Sequence, residues 1–168
     1  MSSVLQYKKS LITVTEMLND RGFHLSEVEN DEYIEFKKGD DKITLFYTLN
    51  PKLCIKTLKN FIFIAERDNL KNILVIYQDS ITPFVYKLIN TIENINIELF
   101  SLRELQYNIT RHILQPKFRK VENIGAKINV DNLPVMFRTD PVARYYNWGV
   151  GTLIEVERRD ITCYRIVK

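Results

Sequence analysis

The stretch from Leu133 to the C-terminus constrains this 168-residue chain more than any other. Leu133-Pro134 is followed by Thr139-Asp140-Pro141-Val142-Ala143-Arg144-Tyr145-Tyr146, then Gly149-Val150-Gly151, then Ile161 through Lys168. Asp140-Pro141 predicts a helix start: the Asp side chain can accept an orphan N–H, and proline at the first helical position has no N–H to leave unpaired. Gly149 and Gly151 predict the close of that short helix. The β-rich runs 153–158 and 161–167, split by Arg159-Asp160, predict a terminal hairpin. Each of these pieces is ordinary alone; their order, a short helix, a glycine turn and a hairpin, is the informative feature.

Upstream, the pattern changes class. Leu11, Val14, Thr15 and Leu18 share a face at helical spacing, and Gly22 after Arg21 supplies a stop. Runs 33–36 and 43–48 around Lys38-Gly39-Asp40-Asp41 predict a hairpin. Pro51 then opens a second expected helix through Ile55, Leu58, Ile62 and Ala65. The continuous apolar run 73–77 predicts a strand covered on both faces. Thr82-Pro83 begins a third helix through Phe84, Leu88 and Ile92, and 95–100 returns to strand. Alternating strands and helices imply partly parallel pairing with right-handed crossovers. The expected architecture is therefore an α/β N-terminal domain over residues 1–104 and a small α+β C-terminal domain over 105–168.

Charge supports a boundary near 102–106. Residues 1–100 hold twelve Lys and Arg against fourteen Asp and Glu, a net −2, whereas residues 101–168 hold twelve against seven, a net +5. A basic C-terminal part suits nucleic acid or an acidic partner surface, although no Lys/Arg block is long enough to read as a nucleic-acid tail. Cys54 and Cys163 lie in hydrophobic runs without metal-like spacing, so buried reduced thiols are expected. No apolar run approaches membrane-spanning length and no leader pattern opens the chain, which predicts a soluble intracellular protein without a membrane partner. His24 and His112 have no ligand-spaced Cys or His. Neither a nucleophile motif nor a phosphate-cradling glycine loop is present. No metal, cofactor or catalytic residue is expected.

The order and wording of the C-terminal stretch strongly resemble the C-terminal domain of the fifth subunit of cellular RNA polymerases, a family with archaeal as well as eukaryotic members. Leu-Pro, Asp-Pro-Val-Ala-Arg-Tyr, a Gly-x-Gly turn and the closing Tyr-Arg-Ile-Val all stand in sequence. Residues 107–117, Tyr-Asn-Ile-Thr-Arg-His-Ile-Leu-Gln-Pro-Lys, are similar to the stretch that opens that domain. Residues 13–23 resemble the first helix of the eukaryotic N-terminal domain, and 55–59 and 80–83 match two further landmarks. The resemblance implies a non-catalytic subunit of a multisubunit DNA-dependent RNA polymerase. Its C-terminal domain would dock on the largest subunit among the other polymerase subunits, and its jaw-like N-terminal domain would lie beside downstream double-stranded DNA.

Two residue sets follow from that resemblance. Pro51, Lys52, Lys56, Thr82, Pro83 and Lys87 are expected near DNA, where proline loops and lysines meet the backbone without reading bases. A solvated helix face is an equal reading of the lysines. His112, Asp140, Pro141, Val142, Arg144, Tyr145, Tyr164 and Arg165 are expected at the subunit interface, Arg and Tyr being types that anchor contacts. A capped helix finishing a small core is the competing reading of Asp140, Arg144 and Tyr145.

Two departures narrow the origin. Arg158-Arg159-Asp160 leads almost directly into the last strand where eukaryotic members carry a longer loop, and Val121 to Asn132 replaces a helix. A shortened two-domain form rich in Ile, Asn and Lys suits a large DNA virus that encodes its own polymerase. That origin implies the virion and infected-cell cytoplasm, and a cellular origin implies the nucleus. Two rival functions remain. Glu35-Phe36-Lys37, after Asp31 and Glu32, has the acid-x-Lys form of Mg²⁺-dependent nucleases. A free-standing adaptor would use the same C-terminal surface on another partner.

Overall fold

Helix α1 (Ser3–Asp20) stops where its sequence predicts: Gly22 takes φ +86°, and Arg21, Gly22 and Phe23 donate back to the carbonyls of Met17, Asn19 and Leu18. A side chain at Gly22 would be strained by that left-handed φ and would meet Lys38 Cε at 3.2 Å. The computed structural model describes residues 3–26, 30–122, 130–158 and 161–168. The chain divides into two units, Met1–Tyr107 and Asn108–Lys168. The division follows Leu105, which is buried in the first unit, and Gln106, whose amide donates to the carbonyls of Gln6 and Leu102.

The first unit is built on a five-stranded sheet. Its strands are β1 (His24–Leu25), β2 (Ile34–Lys38), β3 (Asp41–Tyr47), β5 (Asn72–Tyr77) and β7 (Asn96–Ser101), in that spatial order. β1, β2 and β3 pair antiparallel, and β3, β5 and β7 pair parallel. The mixed sheet is what alternating strand and helix predicted. Central β5 buries Ile73, Leu74, Val75 and Ile76 almost completely, because successive side chains point to opposite faces and both faces are covered. Helices α2 (Ile55–Arg67) and α3 (Pro83–Ile89) seal one core with Leu58, Phe61, Ile64 and Val85 against Phe46, Ile73 and Val75. Phe46 stacks on Phe61 with centroids 4.9 Å apart. α1 buries Val14, Met17 and Leu18 fully. At roughly 1.5–3 kcal/mol per buried apolar side chain, these contacts are what hold the helices to the sheet.

Several local expectations are corrected. Pro51 does not open α2: Lys52–Leu53 form a two-residue strand β4, paired in parallel with β6 (Ser80–Ile81), and Cys54 is the helix N-cap. The ladder to Ser80–Ile81 holds the chain extended there, so the helix starts later than the proline suggests. Thr82 and Pro83 do occupy the N-cap and first position of α3, yet the Thr82 side chain makes no capping hydrogen bond. α3 ends at Ile89, before Ile92. Neither cysteine is fully buried; both are half-buried and free.

The second unit is a four-stranded sheet, β8 (Lys117–Val121), β10 (Leu153–Arg158), β11 (Ile161–Val167) and β9 (Val135–Met136), in that order. β10 and β11 form the predicted terminal hairpin, with Leu153 opposite Ile166 and Arg158 opposite Ile161. Its Arg159-Asp160 turn, and most of the stretch from Val121 to Asn132, lie outside the described residues. Helix α4 (Pro141–Tyr146) packs Val142 and Ala143 with Met136, Trp148, Ile154, Val156 and Val167. The helix is closed by Asn147 in the left-handed conformation (φ 53°), not by Gly149. Asn tolerates that conformation, which lets the N–H groups of Asn147 and Trp148 turn back to the last carbonyls.

Candidate functional site

The parallel pair β4·β6 joins the two loops expected near DNA. The Pro51 carbonyl accepts from the N–H of Asp79 (3.1 Å) and Ser80 (3.2 Å), and Thr82 N–H donates to the Leu53 carbonyl (3.2 Å). Both loops therefore lie together, beyond the carboxyl ends of β3 and β5, where α/β sheets commonly present their ligand-facing loops. Pro51, Lys52, Lys56, Pro83 and Lys87 are exposed and Thr82 is half-buried. Lys87 Nζ sits 5.7 Å from the exposed Phe84 ring. The exposed Asp79 carboxylate beside Ser80 partly offsets the lysines. Sequence reasoning placed the two loops near each other only through the resemblance, because nothing in a two-residue strand announces its partner.

Glu35 lies elsewhere and is already engaged. Its carboxylate is bracketed by Lys37 Nζ at 3.0 Å and Lys42 Nζ at 3.1 Å, and the residue is only 8% exposed. Burial pushes its pKa up, but hydrogen bonds from the two ammonium groups outweigh that and hold the carboxyl below its usual range. Glu32 pairs with Arg67 (2.6 Å), which also holds Asp68, and Tyr33 hydroxyl donates to Asp68. No group of three or more metal-ligating side chains occurs among the described residues. Glu35 and Glu32 are thus engaged by separate cations, an arrangement that stabilises a hairpin and, among the described residues, offers a Mg²⁺ ion no open cluster.

In the second unit the residues expected at an interface separate into two kinds. Asp140 caps α4, its Oδ1 accepting from Val142 N–H at 2.8 Å, with Pro141 exposed at the first helical position. Val142 (2% exposed) and Tyr145 (4%) are buried inside the unit, so they build the helix's footing rather than a contact surface. Tyr145 hydroxyl accepts from Asn108 Nδ2 at 2.9 Å, while Asn108 Oδ1 accepts from the N–H and hydroxyl of Thr110. The Asn-Ile-Thr motif is therefore a capped turn tied to α4. Tyr146 stacks on Trp148 with centroids 4.7 Å apart. His112 is exposed and its Nδ1 accepts from Leu114 N–H. Arg144, Tyr164 and Arg165 are half-buried, and Tyr164 hydroxyl donates to Glu155, which also holds Arg119.

A profile of the family described as RNA polymerase Rpb5, C-terminal domain, matches residues 107–168. The C-terminal unit belongs to the Rpb5 C-terminal domain family. The matched span begins one residue before the geometric unit, so the Rpb5 domain and the compact unit that starts at Asn108 are the same object. Similarity extends through the first unit as well. The chain is 29% identical over 188 aligned positions to the Dictyostelium discoideum protein DNA-directed RNA polymerases I, II, and III subunit rpabc1, covering 98% of this chain and 94% of that protein. It is 27% identical to DNA-directed RNA polymerase subunit 5-like protein 1 of Arabidopsis thaliana, covering 89% and 87%. A protein of Invertebrate iridescent virus 6 that carries the provisional name DNA-directed RNA polymerase subunit 454R is also 27% identical, covering 96% and 100%. The 188 aligned positions exceed the chain's 168 residues, so the alignment opens gaps in this chain.

Proposed function

We propose that this chain is a non-catalytic subunit of a multisubunit DNA-dependent RNA polymerase, with the Mg²⁺ chemistry residing in the largest subunits. The observation that carries the reading is the Rpb5 C-terminal domain at 107–168 together with similarity to polymerase subunits over nearly the whole chain. In this reading the C-terminal unit docks on the largest subunit and contacts other polymerase subunits. Arg144, Tyr164, Arg165 and His112 meet the partner, and Asp140, Pro141, Val142 and Tyr145 hold the helix in place behind them. The jaw-like first unit lies by downstream DNA, with Pro51, Thr82 and Pro83 against the sugar-phosphate backbone and Lys52, Lys56 and Lys87 supplying sequence-independent attraction. The viral relative favours a virally encoded subunit found in the virion and infected-cell cytoplasm; a cellular origin would put it in the nucleus.

The deciding experiment is affinity purification of the tagged chain from infected or native cells after nuclease treatment, with mass-spectrometric identification and stoichiometry. Recovery with two very large polymerase subunits in equal proportion is expected. Recovery alone, or with unrelated partners, would overturn the reading in favour of a reused fold acting as an adaptor. Arg144→Ala combined with Arg165→Ala is expected to weaken incorporation, and unchanged incorporation would sink the interface assignment.

A further inference from the structure

We infer that the β8 edge of the C-terminal unit receives an extended, acidic and apolar segment of another polymerase subunit as a fifth strand. This rests on the polymerase reading and adds a second contact, on a different edge from α4. β8 is the outermost strand, paired only with β10, from Lys117 opposite Glu157 to Val121 opposite Leu153. In an antiparallel pair every second residue turns its N–H and C=O outward. Among the described residues, those outward groups of β8 have no backbone partner. An edge of this kind is a template for strand addition unless it is guarded.

Cations alone would be a guard, and Lys117, Arg119 and Lys120 are exposed along β8. The approach to the strand argues against that. Ile113 and Leu114, immediately before it, are 93% and 83% exposed, and Ile161 across from them is 69% exposed. They line one groove with Pro116, Lys117 and Arg158 at the β10–β11 end of the sheet. Leaving two large aliphatic side chains almost wholly in water stabilises nothing in the isolated chain, and side chains so exposed are not packed into its core.

Charge selects the occupant. Residues 108–168 hold eleven Lys and Arg against six Asp and Glu, a net +5. Among the described residues of the groove, Lys117 and Arg158 flank one carboxylate, Glu157. Arg119 is already matched by Glu155 at 2.7 Å, but neither Lys117 nor Lys120 has an ion-pair partner among the described residues. An added strand with alternating side chains would run past Ile113 and Leu114 into register with β8, with carboxylates on the face of Lys117 and Arg119 and apolar side chains on the face of Phe118. A neutral or basic strand would leave these cations facing like charge or nothing.

The test uses the assembled polymerase purified through this chain. A photo-crosslinking amino acid at position 113 or 114 is expected to capture one segment of another polymerase subunit in which acidic and apolar residues alternate. Amide exchange in the assembly, compared with the free chain, is expected to slow by about tenfold or more at alternate residues of 117–121 and not at their neighbours. Ile113→Ser with Leu114→Ser, at positions too exposed to support the fold, is expected to abolish that alternate protection and reduce retention of the chain at high salt. A polymerase that contains the chain but yields no subunit crosslink, a crosslink to DNA, or protection that depends on the chain's own concentration would overturn the inference, the last by showing a second copy as the occupant. A chain that never purifies with polymerase subunits would overturn the functional reading itself, and the inference with it.

Discussion

Arg21 and Glu98 form a two-point ion pair, Nη1 and Nη2 of the guanidinium each donating to one carboxylate oxygen at 2.9 Å, with side chains only 5% and 14% exposed. The pair ties the turn after α1 to β7, the last strand of the parallel half, across 77 residues of chain. Removing one partner leaves a largely buried charge, a loss of about 3 kcal/mol. Glu98→Ala is expected to lower the denaturation midpoint far more than substitution of an exposed carboxylate such as Glu66. Equal midpoints would mean that the pair is solvated in solution.

Glu35 predicts how stability depends on pH. Its folded pKa lies below the ordinary 4.5 because Lys37 and Lys42 outweigh the effect of burial. A lowered carboxylate pKa contributes stability that is fully present above the unfolded value and is lost as pH falls through the folded one. Glu35→Gln should therefore destabilise the chain at neutral pH and less so in acid. Urea midpoints of the two proteins are expected to converge as pH falls below 4.5, and a constant gap would refute the assignment.

The two ends of α4 make opposite demands. Asp140→Ala removes the oxygen that accepts from Val142 N–H and is expected to cost about 1 kcal/mol. Asn147→Ala puts a Cβ-bearing residue without a local hydrogen-bonding side chain at φ 53° and should also destabilise by about 1 kcal/mol, whereas Asn147→Gly should be neutral or stabilising. Thermal melts of the three variants check the order.

If Lys52, Lys56 and Lys87 face phosphates, replacing all three by Gln should weaken polymerase binding to downstream duplex and flatten its salt dependence. The slope of log affinity against log salt should shrink by up to about 0.9 for each phosphate that is no longer neutralised. Binding measured across a salt series decides it. Parallel lines for the two proteins would return these lysines to a solvated helix face.

Much of this was readable from the chain itself. The hairpin 153–158 with 161–167, the capped start of α4 at Asp140-Pro141, the glycine stop after α1 and the doubly buried run 73–77 are local patterns, set by periodicity and by what single residues permit. Where propensity and tertiary pairing competed, pairing won. Pro51 promised a helix start, but hydrogen bonds to Asp79 and Ser80 hold it before a strand. Gly149 promised a helix stop, but Asn147 reached the left-handed conformation first. Glu35 and Lys37 read as a candidate catalytic pair until Lys42, brought opposite by the hairpin register, joined them.

The sequence by itself determined the terminal hairpin, the capped start of α4, the stop after α1 and the motifs of the Rpb5 domain, because each depends on local patterns whose spacing is visible along the chain. Only the tertiary structure decided that Val142 and Tyr145 are core, that loops 51–53 and 79–83 meet, and that Ile113 and Leu114 stand exposed beside an unpaired strand edge. Burial and pairing are properties of distant residues brought together, and a residue's identity sets what it can offer but not what will be placed against it.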